Sequence, residues 1–325
     1  MANASQIISL LKSHISGDDP RFYNIAMQIA ASEARKGHNR VAKELKSLVD
    51  AAKSQKASIK RVVAPVPIVR PTGELANLLT AKYPSEYLTD MFLSDSLSAK
   101  FRRIIHEQKQ SDKIRSYGLV PKHKILLEGP PGSGKTMTAC VLAAELNLPL
   151  LTIRLDTVIT RFLGETATKL RQIFDAISET RGVYLFDEFD AIGSKRSSSN
   201  DVGEIRRVLN SFLQFLEEDH SSSLIIATTN HPELLDKALF RRFDDIIHYQ
   251  LPDAEMIKTL LKKRLSAFDT KSIKWAKLID EANGLSQADI IKSCDEALKE
   301  AILSDTKRIS QNVLIAELKN RKHQI

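Results

Sequence analysis

The chain has 325 residues, 42% of them hydrophobic and 6% aromatic, enough for one large α/β domain with small satellites. No run of about 18 apolar residues occurs, and the N-terminus lacks the basic start and small-residue cleavage site of a signal peptide, so a cytoplasmic protein with no membrane partner is expected. The net charge of +8 lies entirely in the front of the chain: positions 1–124 carry 21 Lys+Arg against 11 Asp+Glu, and the remainder 27 against 29. Such a front suits nucleic acid, an acidic protein or simply a solvated surface. No aromatic interleaving or readout motif accompanies it, so nucleic acid is the less favoured partner. Cys140 and Cys294 each sit in an apolar helical run without a second Cys or His at metal spacing, and read as free thiols.

In chain order, residues 1–56 read as a small helical module. Ile7, Ile8, Leu10, Leu11 and Ile15 open an amphipathic series, and Asp18-Asp19-Pro20 resembles a helix start. Phe22, Ile25, Ala26, Ile29 and Ala30 follow at helical spacing, Gly37-His38-Asn39 breaks the pattern, and Val41, Leu45, Leu48, Val49 and Ala52 form another stripe. Residues 57–96 form a linker and pre-core segment, in which Pro65, Pro67, Pro71 and Gly73 predict an extended start. Residues 74–123 read as mostly helical, most clearly over 97–110. From Lys124 short apolar runs alternate with helical stretches. The runs are 125–127, 148–155, 183–186, 224–227 and 246–249. This rhythm predicts a doubly wound, mainly parallel sheet over 97–252. After Pro252 only helical stretches remain, so 253–325 reads as an all-helical lid.

Gly129-Pro130-Pro131-Gly132-Ser133-Gly134-Lys135-Thr136 matches G-x-x-x-x-G-K-[ST] between a predicted strand and helix, the phosphate-binding loop of ATP-using proteins. Its glycines let backbone N–H groups approach phosphate oxygens, and the following helix adds its N-terminal partial charge. Lys135 can reach the terminal phosphates and the Thr136 hydroxyl can ligate Mg²⁺. About 50 residues on, Val183–Phe186 ends in Asp187-Glu188. Asp187 suits a Mg²⁺ ligand through water, and Glu188 a base that polarises the attacking water. A further strand ends at Asn230, an amide placed for the γ-phosphate and the lytic water. Arg241 and Arg242 follow by about a dozen residues and can serve as fingers for a neighbouring subunit's nucleotide.

In this order the motifs resemble those of the classical AAA clade of AAA+ ATPases, the branch containing membrane-anchored bacterial AAA proteases, proteasomal ATPases, katanin and spastin. The match spans about 97–303. It adds Gly284-Leu285-Ser286-Gln287-Ala288-Asp289-Ile290, similar to the lid motif that contacts adenine and ribose, here through Gln287 and Ala288. Phe162-Leu163-Gly164-Glu165 resembles the pore loop that grips polypeptide, which favours protein over DNA as substrate. Leu239-Phe240-Arg241-Arg242-Phe243-Asp244 departs from the commoner Arg-Pro-Gly-Arg-Phe-Asp and is closer to the compact form of katanin-like members, leaving open which arginine is the finger.

The resemblance implies ATP and Mg²⁺ as cofactors, a homo-oligomer of hexameric type, and a motor that remodels or unfolds protein. The N-terminal segment is similar to that of small bacterial AAA proteins, some paired with a subtilisin-like protease. The chain has neither His-Glu-x-x-His nor Gly-x-Ser-x-Gly, so proteolysis requires a separate partner. A DNA-directed motor or loader, and an ATP-dependent switch with slow turnover, are the alternatives.

Overall fold

The structure is a computed structural model. It describes residues 75–155, 158, 165–190, 201–235, 237–306 and 308–324, with scattered positions between 25 and 73. The chain divides into two compact units, Met1–Pro65 and Val66–Ile325. In the first, Ala26, Ile29, Ala30 and Val49 are buried and Glu33 accepts from His38 Nδ1 at 2.7 Å. Val41, read as part of an apolar stripe, is instead 48% exposed. The first amphipathic series and the Asp18-Asp19-Pro20 start lie outside the described residues.

The second unit is built on a six-stranded sheet of order β1-β3-β4-β5-β2-β6. The strands are β1 (Leu79–Lys82), β2 (Lys124–Glu128), β3 (Leu150–Ile153), β4 (Val183–Phe186), β5 (Leu224–Thr229) and β6 (Asp245–His248). All neighbours run parallel except β1 with β3. The apolar runs therefore mark five parallel strands, although β3 occupies only the middle of its run. The antiparallel strand β1 falls inside the segment read as mostly helical. Of its four residues only Leu79 is buried, as suits an edge strand, so it offers no apolar run to detect.

Side chains alternate between the two faces of the sheet, as the pleat requires. Leu126, Leu151, Ile153, Tyr184, Phe186, Ile225 and Ala227 face one core, closed by helices α5 (Thr166–Glu179) and α6 (Asp201–Glu218). Ile125, Leu127, Leu150, Val183, Leu185, Leu224, Ile226 and Ile247 face the other, closed by α2 (Asp95–Lys109) and α4 (Lys135–Leu146). The short α1 (Leu75–Leu78), α3 (Ser111–Ser116) and α7 (Lys237–Phe240) connect these layers. The phenyl rings of Phe174, Phe186, Phe189 and Phe212 pack at centroid distances of 4.5–6.0 Å and fill the first core.

After Asp253, whose side chain caps the next helix by accepting from Met256 N–H at 2.8 Å, the chain is helical: α8 (Ala254–Arg264), α9 (Trp275–Ala282), α10 (Gln287–Leu303) and α11 (Gln311–Lys322). Their apolar faces enclose a separate core that includes Leu260, Leu278, Ile290, Leu314 and Cys294, whose thiol burial pushes up to about 12. Cys140 is half-buried and also free. Among the described residues no helix is long and apolar enough to cross a membrane.

Candidate active site

The phosphate-binding loop runs from the end of β2 to the start of α4, over residues 129–134. Gly129 (φ +142°) and Gly132 (φ +71°) hold conformations that L-residues rarely adopt, and both are tightly approached. A Cβ on Gly129 would lie 2.4 Å from the Tyr249 carbonyl oxygen; one on Gly132 would lie 2.4 Å from Ser286 Oγ and 3.0 Å from Ala288 Cβ. The loop is thus held between the end of β6 and the lid. Successive backbone N–H groups in such turns, continued by the free N–H groups of a helix start, make a concave anion site. The Ser133 hydroxyl is buried there without a hydrogen-bond partner among the described residues. These features fit a nucleotide polyphosphate. Pro130 and Pro131 fill the turn, and Pro130 contributes its carbonyl oxygen.

Lys135 Nζ donates to the carbonyl oxygens of Gly129 and Pro130, both at 2.8 Å. Burial pulls its ammonium below the ordinary lysine range, against the opposing pull of Asp187, Asp190 and Glu188. Thr136 Oγ1 donates to Asp187 at 3.0–3.1 Å across 51 residues of sequence. A hydroxyl and a carboxylate beside a polyphosphate site are an all-oxygen donor set of the kind Mg²⁺ takes together with nucleotide phosphates. Glu188 is exposed and sits in the left-handed region at φ +51°, uncommon for a residue with a side chain. Asn230 follows β5; its backbone N–H donates to the buried Asp190 carboxylate at 3.2 Å.

The sequence-derived residues do not all meet. Lys135, Thr136, Asp187 and Glu188 converge. Ala288 joins them from the lid, its N–H donating to the Gly132 carbonyl at 3.1 Å. Gln287 turns instead to the segment before α2, donating from Nε2 to the Phe92 carbonyl at 2.9 Å. It lines a 230 Å³ cavity between core and lid with Phe92, Tyr249 and Met256. Arg242 Nη1 donates to Glu217 at 2.6 Å on α6, whereas Arg241 is exposed and has no ion pair among the described residues. Phe162 and Leu163 lie outside the described residues. A second cavity, of 540 Å³, lies within the lid between the end of α10 and the start of α11, away from the phosphate loop.

Three residues to which the sequence reading gave no role of their own are part of this construction. Ser286 caps α10 by accepting from Asp289 N–H at 3.2 Å and faces Gly132. Tyr249 is buried against the loop, its hydroxyl bonded to Thr138, and burial drives its phenol well above the ordinary range. Thr228 on β5 touches Asp187 and the Glu188 backbone. A Ser before a helix was a usable capping signal for the first. The other two lie within apolar strands, where periodicity alone assigns them to packing.

A phosphate-binding loop on a parallel sheet, two carboxylates at the next strand end and a helical lid together define a P-loop nucleoside triphosphatase. Residues 125–251 match the family model for the ATPase family associated with various cellular activities. The chain is 33% identical over 316 residues to an AAA family ATPase, y4kL, of Sinorhizobium fredii, covering 96% of this chain and 93% of that protein. It is 32% identical over 243 residues to a putative 26S proteasome regulatory subunit homolog of Methanothermobacter thermautotrophicus, covering 72% and 64%. It is 34% identical over 197 residues to the proteasome-activating nucleotidase of Methanococcus vannielii, covering 58% and 48%, so the chain spans about half of that relative. The crystal structure of the FIGL-1 AAA domain superposes with a TM-score of 0.60 at 22% identity, over 75% of this chain and 86% of that one, and shares the fold. The chain belongs to the AAA family of ATPases and is an ATP hydrolase.

Proposed function

We propose that the protein is an oligomeric motor that couples Mg²⁺-dependent ATP hydrolysis to the remodelling or unfolding of protein substrates. The contact between Thr136 in the first turn of α4 and Asp187 just after β4 carries the Mg²⁺-ATP part of this reading, because it assembles an oxygen pair suited to a metal beside the phosphate loop. Thr136 and Asp187 would hold the Mg²⁺, whose charge would offset that of the phosphate oxygens. Lys135 binds the terminal phosphates, Glu188 polarises the attacking water and Asn230 orients it. The resemblance assigns Gln287 and Ala288 to the adenine and ribose of the nucleotide. Arg241, free of ion pairs among the described residues, is the better placed of the two arginines to reach a neighbouring subunit, with Arg242 tied back to Glu217.

The protein-directed role is supported by the resemblance of Phe162-Leu163-Gly164-Glu165 to a polypeptide-gripping loop and by the proteasome-activating nucleotidases among the relatives. A ring, hexameric by analogy, completes each site with its neighbour's arginines, and any proteolysis falls to a separate protein. The test is ATP-dependent unfolding of a fluorescent model substrate by the wild type and by Phe162→Ala. Wild-type unfolding is expected, and the variant should lose it while keeping basal ATP hydrolysis and melting temperature. Full unfolding by Phe162→Ala would refute the threading role. ATPase stimulation by DNA that survives the substitution would favour a DNA-directed motor.

A further inference from the structure

Thr228 is the fifth residue of β5, 1% exposed, beside the end of β4. Its hydroxyl donates to Asp187 Oδ1 at 2.5 Å and accepts from the Glu188 backbone N–H at 3.0 Å. Its carbonyl oxygen accepts from Phe189 N–H at 2.8 Å. A hydroxyl has one proton and two lone pairs, so a single group can give to the carboxylate and receive from the amide at once.

Strand β4 ends at Phe186, so its ladder does not orient either acid. Among the described residues Asp187 has two hydroxyl donors, Thr136 in the first turn of α4 and Thr228 on β5. The peptide entering Glu188 is fastened to Thr228 at the point where the backbone turns left-handed, at φ +51°. That conformation persists only where surrounding contacts determine it. Buried side-chain hydroxyls mostly bond main-chain groups or water, as Ser223 Oγ, just before β5, does on the Ile177 carbonyl at 2.9 Å. Thr228 is engaged instead by the two residues to which the chemistry is assigned.

We propose that Thr228 is the positioning residue for both carboxylates. Its hydroxyl turns Asp187 toward Thr136 and sets the peptide that aims Glu188, while touching neither nucleotide nor water itself. The inference rests on the assignment of Asp187 to the metal and Glu188 to the lytic water.

Thr228→Val keeps the branched shape the strand prefers and deletes the hydroxyl. Asp187 then has one hydroxyl donor fewer and the Glu188 N–H loses its acceptor. ATP affinity without Mg²⁺ should be unchanged. The gain in ATP affinity on adding Mg²⁺, read by displacement of a fluorescent ATP analogue, should shrink several-fold. At saturating Mg²⁺, kcat should fall about ten- to a hundredfold with a smaller change in KM, the scale of a lost hydrogen bond to a charged group. Thr228→Ser, which restores the hydroxyl without the methyl group, should recover both quantities, with melting temperatures recorded for every variant.

A Val variant with wild-type Mg²⁺ response and kcat would overturn the proposal. So would a Ser variant as impaired as Val, because packing and not the hydroxyl would then be responsible. If Val does not fold, Thr228→Cys, whose thiol is a weak donor, takes its place against Ser under the same criteria. Glu188→Gln in the same series separates the two layers of the argument. Wild-type turnover there would remove the assignment of Glu188 on which the proposal rests. Loss of turnover there, with full activity in Thr228→Val, would remove the role of Thr228 alone.

Discussion

Lys135 shows how one side chain is held ready for a polyanion. Its ammonium bridges two loop carbonyls at 2.8 Å, while burial works against its charge and three nearby carboxylates work for it. Terminal phosphate oxygens offer a stronger, charge-assisted partner than neutral carbonyls. Lys135→Ala should weaken ATP binding at least tenfold, about the free energy of one such bond, and abolish turnover; isothermal titration with ATP checks it, and unchanged affinity would refute the role of the loop. Lys135 was legible because eight contiguous residues carry its context. Asp187 and Glu188 were legible from an apolar strand ending in two acids at the expected distance downstream. Thr228 was not, because its partners lie 40 and 41 residues earlier and its own neighbours form an unbroken buried strand.

At the scale of elements, the end of the sheet opposite the phosphate loop is tied by an ionic cluster in which His123 and Asp219 are buried and Asp244 is exposed. His123, just before β2, has Asp219 at 3.5 Å, after α6, and Asp244 at 3.2 Å, beside the arginine pair. Asp244 Oδ2 also accepts the backbone N–H groups of His123 and Lys124, at 2.8 and 2.9 Å, and Lys124 Nζ donates to the Asp219 carbonyl. Burial opposes the charged imidazolium, yet the two carboxylates prevail and raise His123 to about 9; the same pairing holds Asp244 down at about 2 in spite of burial. The signs follow from linkage. The stabilisation due to His123 is fully present below its ordinary 6.5 and is lost as pH rises through 9. That due to Asp244 is present above its ordinary 3.8 and is lost as pH falls toward 2. In urea unfolding, the advantage of wild type over His123→Gln should be full at pH 6 and vanish near pH 10; an advantage that does not change over that range would refute the charged pairing. None of these contacts is visible in the sequence, since they join segments about 95 to 120 residues apart. The helix–strand alternation was visible, because burial on both faces makes each parallel strand a continuous apolar run. The edge strand β1 shows the limit of that signal.

For the whole molecule, the division of labour between two arginines sets an expectation about assembly. Arg242 is spent on Glu217 of its own subunit, whereas Arg241 is exposed on the turn after α7. If the finger acts on a neighbour, subunits lacking the loop lysine and subunits lacking both arginines should complement each other. Mixing Lys135→Ala with Arg241→Ala/Arg242→Ala should give more ATP hydrolysis than either alone, because some junctions then pair an intact loop with an intact finger. A steady-state assay on premixed, co-sized assemblies decides, and no gain over the separate variants would place both groups in one subunit.

The tie between Ala288 N–H and the Gly132 carbonyl has a mechanical meaning. Helix α10 starts at that tie and runs 17 residues to Leu303. At 1.5 Å per residue it is a rigid rod about 25 Å long. Its fulcrum is the loop that grips the phosphates, so a swing of about 10° there carries the tip about 4 Å, by the same helix geometry. If the lid pivots at that tie, an ångström-scale change at the loop would be enlarged at the far end of the helix.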